Sequence, residues 1–120
     1  MTQPFSTEPI SRTDLHEAIS AGEVTVVDAL GEHFWAQRHL PGAIPLLAED
    51  VAAKAAELLP DKAAAIVVYC SNPACGNSQA VAAKLVNLGY TAVRKYTAGI
   101  EDWVDAGLPT ETGLATAAPE

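Results

Sequence analysis

The chain places both of its cysteines beside a single turn. Cys70 ends an apolar run at residues 65–70, and Cys75 follows five residues later. A helix is predicted to begin just after the turn, and its free N–H groups and dipole would lower the pKa of a nearby thiol from about 8.5 toward neutrality. The resulting thiolate is a nucleophile, so the pattern indicates thiolate chemistry at Cys70.

The spacing of the two cysteines leaves the role of Cys75 open. If the loop folds back, the two sulfur atoms can meet, which would form a reversible disulfide or pass a sulfur atom between the thiols. Redox dithiols more often have the spacing C-x-x-C, however. For Cys70 the alternative is packing, because a buried cysteine at a strand end is often only an apolar packing group. No metal is predicted, because His16, His33 and His39 lie at no recognisable ligand spacing.

Small polar residues fill the loop between Cys70 and the next predicted helix. We expect their backbone amides to form a cradle for a thiolate, a persulfide or a small oxyanion. Gly76 is expected to adopt a positive φ that turns amides inward, and Pro73 to stiffen the other side of the loop. The predicted substrate-binding residues are Ser71, Asn72, Pro73, Ala74, Gly76 and Asn77.

Alternating strand and helix patterns surround this loop. The run of residues that precedes the loop and an earlier β-branched run are both apolar at almost every position. This pattern is typical of strands buried on both faces. The predicted strands cover residues 24–30, 65–70 and 91–99, and the predicted helices cover residues 11–22, 49–59, 77 or 78 to 88, and 100–107. This order predicts an α/β domain with a mainly parallel central sheet flanked by helices on both faces, and it places Cys70 at the carboxyl edge, where ligands bind.

Composition and charge narrow the class of protein. The 120 residues are 49% hydrophobic and 18% charged, which is typical of one globular domain. Residues 10–112 are predicted to form it, with flexible tails at residues 1–9 and 113–120. The formal net charge of −8 argues against a nucleic-acid partner, since phosphate binding needs clustered Lys and Arg. No apolar run is long enough to span a membrane and the N-terminus has no secretory signal, so a cytoplasmic protein without a membrane partner is expected.

Three motifs, in order, resemble those of the single-domain rhodanese-like proteins. An aspartate, Asp28, ends an apolar strand, and the turn RHLPGA at residues 38–43 is similar to the family's G-H-I-P-G-A. The segment AGIEDW at residues 98–103, followed by GLP at residues 107–109, is similar to its closing G-G-x-x-x-W and G-L-P. With the cysteine strand between the second and third motifs, the resemblance covers nearly all of residues 10–112.

The resemblance implies a sulfurtransferase or sulfur carrier with Cys70 as the catalytic residue and no cofactor. In that chemistry Cys70 attacks the outer sulfur of a small sulfane-sulfur donor, becomes a persulfide, and passes the sulfur to a thiol acceptor, another nucleophile or an acceptor protein. Cys75 would be a resolving or relay thiol. Two other classes stay open: a thiol-disulfide redox protein or sensor that uses both cysteines, and a non-catalytic partner-binding module of the same fold.

The chain departs from the family pattern in charge. The loop from Cys70 to Ser78 is longer than the family's usual one and has no Arg or Lys, and Leu30 stands where the family often has Arg. A dianion such as thiosulfate is attracted less by amides alone than by amides with a guanidinium, so inefficient thiosulfate chemistry is expected. The C-x5-R motif of related phosphatases is missing because position 76 is glycine, which argues against phosphatase activity.

Other polar residues have structural or supporting interpretations. Asp28 is expected to cap the turn after its strand, and His39 to hold its own turn through a backbone hydrogen bond. Arg94 and Lys95 flank a strand that ends near the cysteine loop, so either is a candidate for the positive charge that the loop lacks.

Overall fold

The computed structural model of the chain describes residues 9–72 and 75–112. Within these residues a sheet is formed by β1 (Thr25–Asp28), β2 (Ile44–Pro45), β3 (Ile66–Tyr69) and β4 (Val93–Tyr96). The helices are α1 (Arg12–Ala21), α2 (Glu32–Gln37), α3 (Val51–Leu58), α4 (Asn77–Asn87) and α5 (Gly99–Asp105). The strand order is β2-β1-β3-β4, and neighbouring strands are parallel. The predicted α/β class with a parallel sheet is confirmed.

Alternate strand residues face opposite sides of the sheet and build two cores. Val27 of β1 and Val68 of β3 pack with α3 and α4 on one side, whereas Val26 and Val67 pack with α1 and α5 on the other. All four side chains are at most 3% exposed. Strands covered on both faces explain the nearly continuous apolar runs, and the predicted helices on both faces are confirmed.

Local signals set the ends of the longer helices. The hydroxyl of Ser11 accepts a hydrogen bond from the Asp14 N–H at 3.1 Å, which caps α1, and Gly22 ends that helix with a φ of +71°. Gly89 follows α4 with a φ of +102°. The predicted limits of these helices are therefore confirmed to within a residue or two.

The sequence patterns did not predict α2 or β2. Helix α2 has six residues and none of them is buried, while β2 has two residues. Neither is long enough to show a periodic pattern of apolar side chains. Both depend on contacts outside the element itself: Trp35 of α2 donates its indole N–H to Ala43 O at 2.7 Å, and Ile44 of β2 pairs with Val27.

The predicted tails, residues 1–9 and 113–120, lie outside the described residues except for Pro9. Pro9 forms an isolated parallel bridge with Lys95 on β4. The domain limits at residues 10 and 112 stay a prediction. In the described ranges the longest helix, α4, has 11 residues, whereas a bilayer-spanning helix needs about 20 apolar ones, and no candidate span is present there.

Candidate functional site

The two cysteines lie together between β3 and α4. Cys70 directly follows β3, and α4 begins two residues after Cys75. They are joined as a disulfide with their Cα atoms 6.2 Å apart, so the loop folds back and the two sulfur atoms meet. Cys70 is 2% exposed. In this oxidised form its sulfur is neither a thiolate nor open to solvent, and reduction must precede any nucleophilic chemistry.

The first turn of α5 holds the start of the cysteine loop. The N–H of Ile100 donates to Cys70 O at 2.9 Å, and the N–H of Glu101 donates to Ser71 O at 3.0 Å. Gly99, which begins α5, has a φ of +81°, and a Cβ at that position would lie 2.6 Å from the Asn72 nitrogen. Only glycine allows this close approach of two backbone segments.

The first turn of α4 faces the loop without a side-chain cap. Gly76 is the N-cap residue and offers no side-chain acceptor to the N–H groups that follow it. These groups carry the partial positive charge of a helix N-terminus. Gly76 has a φ of −92°, so the expectation of a positive φ at this position is wrong, and an ordinary helical conformation is sufficient to start α4.

The predicted loop residues have different surroundings. The Cys75 N–H donates to Asn72 O at 3.1 Å, so this amide serves the turn rather than an anion. The side-chain amide of Asn72 donates to Glu101 at 3.2 Å, and that of Asn77 donates to Ala29 O at 3.3 Å. Pro73 and Ala74 lie outside the described residues. The assignment of loop residues 71–74, 76 and 77 to substrate binding stays a prediction.

A pocket of about 610 Å³ opens beside Ser71. This volume lies in the usual range of small-molecule sites, about 300–1,000 Å³. Its walls include Leu30, Phe34, Arg38, Ile100, Glu101 and Asp105. Leu30 therefore faces the site, as expected for the position where the family often has Arg. Phe34 is 54% exposed, so an apolar ring surface is available at the pocket wall.

The positively charged residue in the pocket wall is Arg38, which sequence reasoning missed as a site residue. Its position in the RHLPGA motif was noted, but the preceding helix α2, which carries it to the pocket, was not predicted. The two residues suggested from the sequence as the missing positive charge have other partners. Arg94 donates to Pro9 O at 3.0 Å, and Lys95 donates to the Gln79 side chain at 3.2 Å. Among the described residues, neither forms a hydrogen bond or ion pair with the cysteine loop.

Asp28 organises the turn that carries Leu30 to the pocket. Its buried carboxylate accepts the Leu30 N–H at 2.7 Å and the Tyr69 hydroxyl at 2.7 Å. Burial raises the pKa of Asp28, while these two hydrogen bonds act to lower it. The Tyr69 hydroxyl in turn accepts the Leu40 N–H at 3.1 Å, and its own pKa is raised by burial and by the adjacent Asp28. The predicted turn-capping role of Asp28 is confirmed.

His39 fixes the turn next to Arg38. Its Nδ1 lies 2.8 Å from Trp35 O, and because a carbonyl only accepts, Nδ1 carries the proton that is donated. The His39 and Trp35 rings stack with centroids 4.4 Å apart. The His39 backbone also exchanges two hydrogen bonds of 2.8 Å with Glu111. The predicted structural role of His39, through a backbone hydrogen bond, is confirmed.

Comparison with known proteins identifies the family. The model of the rhodanese-like domain matches residues 11–106, and the chain belongs to the rhodanese-like domain family. It is 33% identical over 109 residues to an HTH-type transcriptional regulator of Mycobacterium tuberculosis. The aligned region covers 88% of this chain and 46% of that protein. The chain thus spans less than half the length of this curated relative.

Solved structures share the fold. The BH2092 protein from Bacillus halodurans has a TM-score of 0.80 and 27% identity, over 94% of this chain and 82% of that one. A rhodanese-like domain from Anabaena has a TM-score of 0.64 and 29% identity, over 74% of this chain and 92% of that one. A thiosulfate sulfurtransferase from Pseudomonas aeruginosa has a TM-score of 0.73 over 89% of this chain and 20% of that one; at 22% identity it supports the fold alone.

Proposed function

We propose that this protein transfers sulfane sulfur through a persulfide on Cys70. One observation carries the proposal: in a rhodanese-like chain, Cys70 lies between the carboxyl end of β3 and the uncapped first turn of α4. A helix N-terminus stabilises a thiolate and the negative charge of a persulfide more than it stabilises the neutral thiol. Ligands of parallel sheets bind at this edge, which is also where the pocket opens.

The transfer has two displacement steps. The Cys70 thiolate attacks the outer sulfur of a donor persulfide; the new S–S bond forms on Cys70, and the donor leaves as a thiolate. An acceptor thiolate then attacks the terminal sulfur, takes it as a new persulfide, and releases Cys70 as a thiolate. No electrons are gained or lost overall. The partners are therefore a small sulfane-sulfur donor and a thiol acceptor or acceptor protein.

The Cys70–Cys75 disulfide supports a further role for Cys75, because its sulfur atom adjoins that of Cys70. A reduced Cys75 can take the terminal sulfur from a Cys70 persulfide and pass it on, which is the relay role. The same pair also fits a dithiol-disulfide redox cycle, and the geometry does not favour one over the other. Because both roles begin from thiols, we propose a reducing, cytoplasmic setting for the protein.

Sulfur loading of the reduced protein tests the proposal. After reduction and removal of the reductant, the protein is mixed with glutathione persulfide, polysulfide or thiosulfate, and its intact mass is measured. We expect a gain of one sulfur atom that Cys70→Ser abolishes and Cys75→Ser retains, with thiosulfate the poorest donor. An unchanged mass with every donor would overturn the proposal.

Two controls separate the competing classes. If Cys75→Ser loses activity as completely as Cys70→Ser, and the disulfide forms at mild potentials, the protein is a redox protein rather than a carrier. If reduced Cys70 reacts with an alkylating reagent no faster than free cysteine, its thiolate is not stabilised and the non-catalytic module is correct.

A further inference from the structure

We propose that the pocket beside Ser71 selects a zwitterionic, amino-acid-type thiol as the sulfur acceptor, with its carboxylate on Arg38 and its ammonium on Glu101 and Asp105. This inference rests on sulfur transfer at Cys70 and names the class of molecule that receives the sulfur. It follows from the position, the charges and the apolar walls of the pocket.

The pocket adjoins the reacting residue on two sides. Ser71, which follows Cys70 in the chain, lines it. Ile100 also lines it, and the N–H of Ile100 donates to Cys70 O at 2.9 Å. A small molecule in the pocket would therefore lie beside the residue that follows Cys70 and the residue that hydrogen-bonds to it. In this proposal, reduction of the disulfide frees the Cys70 sulfur for transfer to an acceptor held in the pocket.

The pocket holds charges of both signs on different helices. Arg38 is the C-cap residue of α2, while Glu101 and Asp105 lie four residues apart on α5 and so share one face of that helix. Within residues 9–72 and 75–112, no ion pair joins Arg38 to either carboxylate. One cation and two carboxylates can thus meet a ligand, although Glu101 also accepts the Asn72 side-chain amide at 3.2 Å.

This charge set discriminates among small sulfur compounds. Its net charge is negative, which disfavours a dianion such as thiosulfate and agrees with the uncharged cysteine loop. A ligand with an ammonium and a carboxylate meets a partner for each group. The apolar side chains of Leu30, Phe34 and Val104 suit a short carbon skeleton between those groups and the sulfur.

Three matched thiols test the selection. Cysteine has both charged groups, cysteamine has only the ammonium, and 3-mercaptopropionate has only the carboxylate. Protein loaded with sulfur on Cys70 is mixed with each thiol, and the second-order rate of sulfur removal is measured for the wild type and for variants. The ratio of variant to wild-type rate is compared for each thiol, so that differences in intrinsic thiol reactivity cancel.

The variants have opposite expected patterns. Arg38→Gln should slow transfer to cysteine and 3-mercaptopropionate by about 1.4- to 5-fold, the range for an exposed ion pair, and leave cysteamine unchanged. The double variant Glu101→Gln, Asp105→Asn should slow transfer to cysteine and cysteamine by a similar factor and leave 3-mercaptopropionate unchanged or faster. Glu57→Gln, on the exposed surface of α3, is the matched control and should change none of the rates. Equal effects on all three thiols would overturn the inference.

A binding measurement separates this inference from the proposed function. S-methylcysteine keeps both charged groups but has no thiol, so it binds without reacting. In a titration of the oxidised protein followed by NMR, we expect the amide signals of Ser71 and Ile100 to shift, and the shifts to weaken in the acid-to-amide double variant. If the amide signals shift but Cys70 takes up no sulfur, the proposed function is wrong and the selectivity of the pocket is supported. If Cys70 takes up sulfur but no amide signal shifts, only the selectivity of the pocket is wrong.

Discussion

Replacing Gly99 with alanine tests how α5 holds the cysteine loop. Gly99 has a φ of +81°, a conformation that costs an L-residue about 1–2 kcal/mol. The added Cβ would lie 2.6 Å from the Asn72 nitrogen and closer still to the Ser71 carbonyl, whereas ordinary contacts begin at about 3.4 Å. These are backbone atoms, which cannot rotate away, so the loop and the start of α5 must separate.

The separation weakens the two hydrogen bonds that join α5 to the loop. They run from Ile100 N–H to Cys70 O at 2.9 Å and from Glu101 N–H to Ser71 O at 3.0 Å. Each is worth about 0.5–1.5 kcal/mol, so together with the backbone conformation the free energy of unfolding should fall by about 2–5 kcal/mol. The loop should also lose its fixed position beside the pocket.

Gly107 provides a matched control. It has a φ of +78°, but a Cβ there would meet no atom within 4 Å. Gly107→Ala should therefore lower the free energy of unfolding only by the cost of the backbone conformation, about 1–2 kcal/mol. Urea unfolding of the reduced protein, followed by circular dichroism, measures both losses, and the rate of Cys70 alkylation reports on the loop. Equal losses in the two variants, with unchanged alkylation in both, would refute the argument that the backbone contact matters.

Three further predictions concern the polar contacts around the site. Tyr69→Phe removes the hydroxyl that donates to the buried Asp28, and should lower the free energy of unfolding, measured in urea, by about 1–3 kcal/mol; no loss would mean that another donor replaces it. Because burial raises the folded pKa of Asp28 above its ordinary value of 3.8, the folded chain holds this proton more tightly than the unfolded chain. The stabilising contribution of the protonated Asp28 is complete below pH 3.8 and is lost as pH rises through the folded pKa. The free energy of unfolding of the wild type relative to Asp28→Asn should therefore decrease as pH rises above 3.8, and an increase would contradict the direction of the shift. Arg12→Gln breaks a half-exposed 2.9 Å ion pair with Asp102 and should lower the free energy of unfolding by only about 0.2–1 kcal/mol. This decrease should become smaller in high salt, and a decrease that does not depend on salt would indicate that Arg12 stabilises the fold by packing instead.

The elements that the sequence predicted correctly are those with local causes. Ser11 and Gly22 limit α1 through a cap and a left-handed residue, which depend on neighbours a few positions away. The runs that became β1 and β3 were recognised because strands covered on both faces need apolar side chains at successive positions. Gly76 was misjudged because glycine permits a positive φ without requiring one.

The parts of the site that were missed come from distant positions in the chain. Arg38 follows a six-residue helix with no buried residue, too short for a periodic pattern, so nothing local indicated that it would reach the pocket. Glu101 and Asp105 were noted only as part of the last helix, although they lie in the same pocket wall. Exposed charges have no pattern that links them across a sheet edge.

By itself, the sequence determined the α/β class, the position of Cys70 at the end of a strand and before a helix, and the family to which the chain belongs. These features depend on local periodicity and on short motifs, which can be recognised without knowing how the rest of the chain packs. The tertiary structure decided that Cys75 meets Cys70, that Gly99 admits the loop against α5, and that Arg38 shares a pocket with two carboxylates. These contacts join residues by packing across the sheet edge, and packing is a property of the folded chain rather than of any segment.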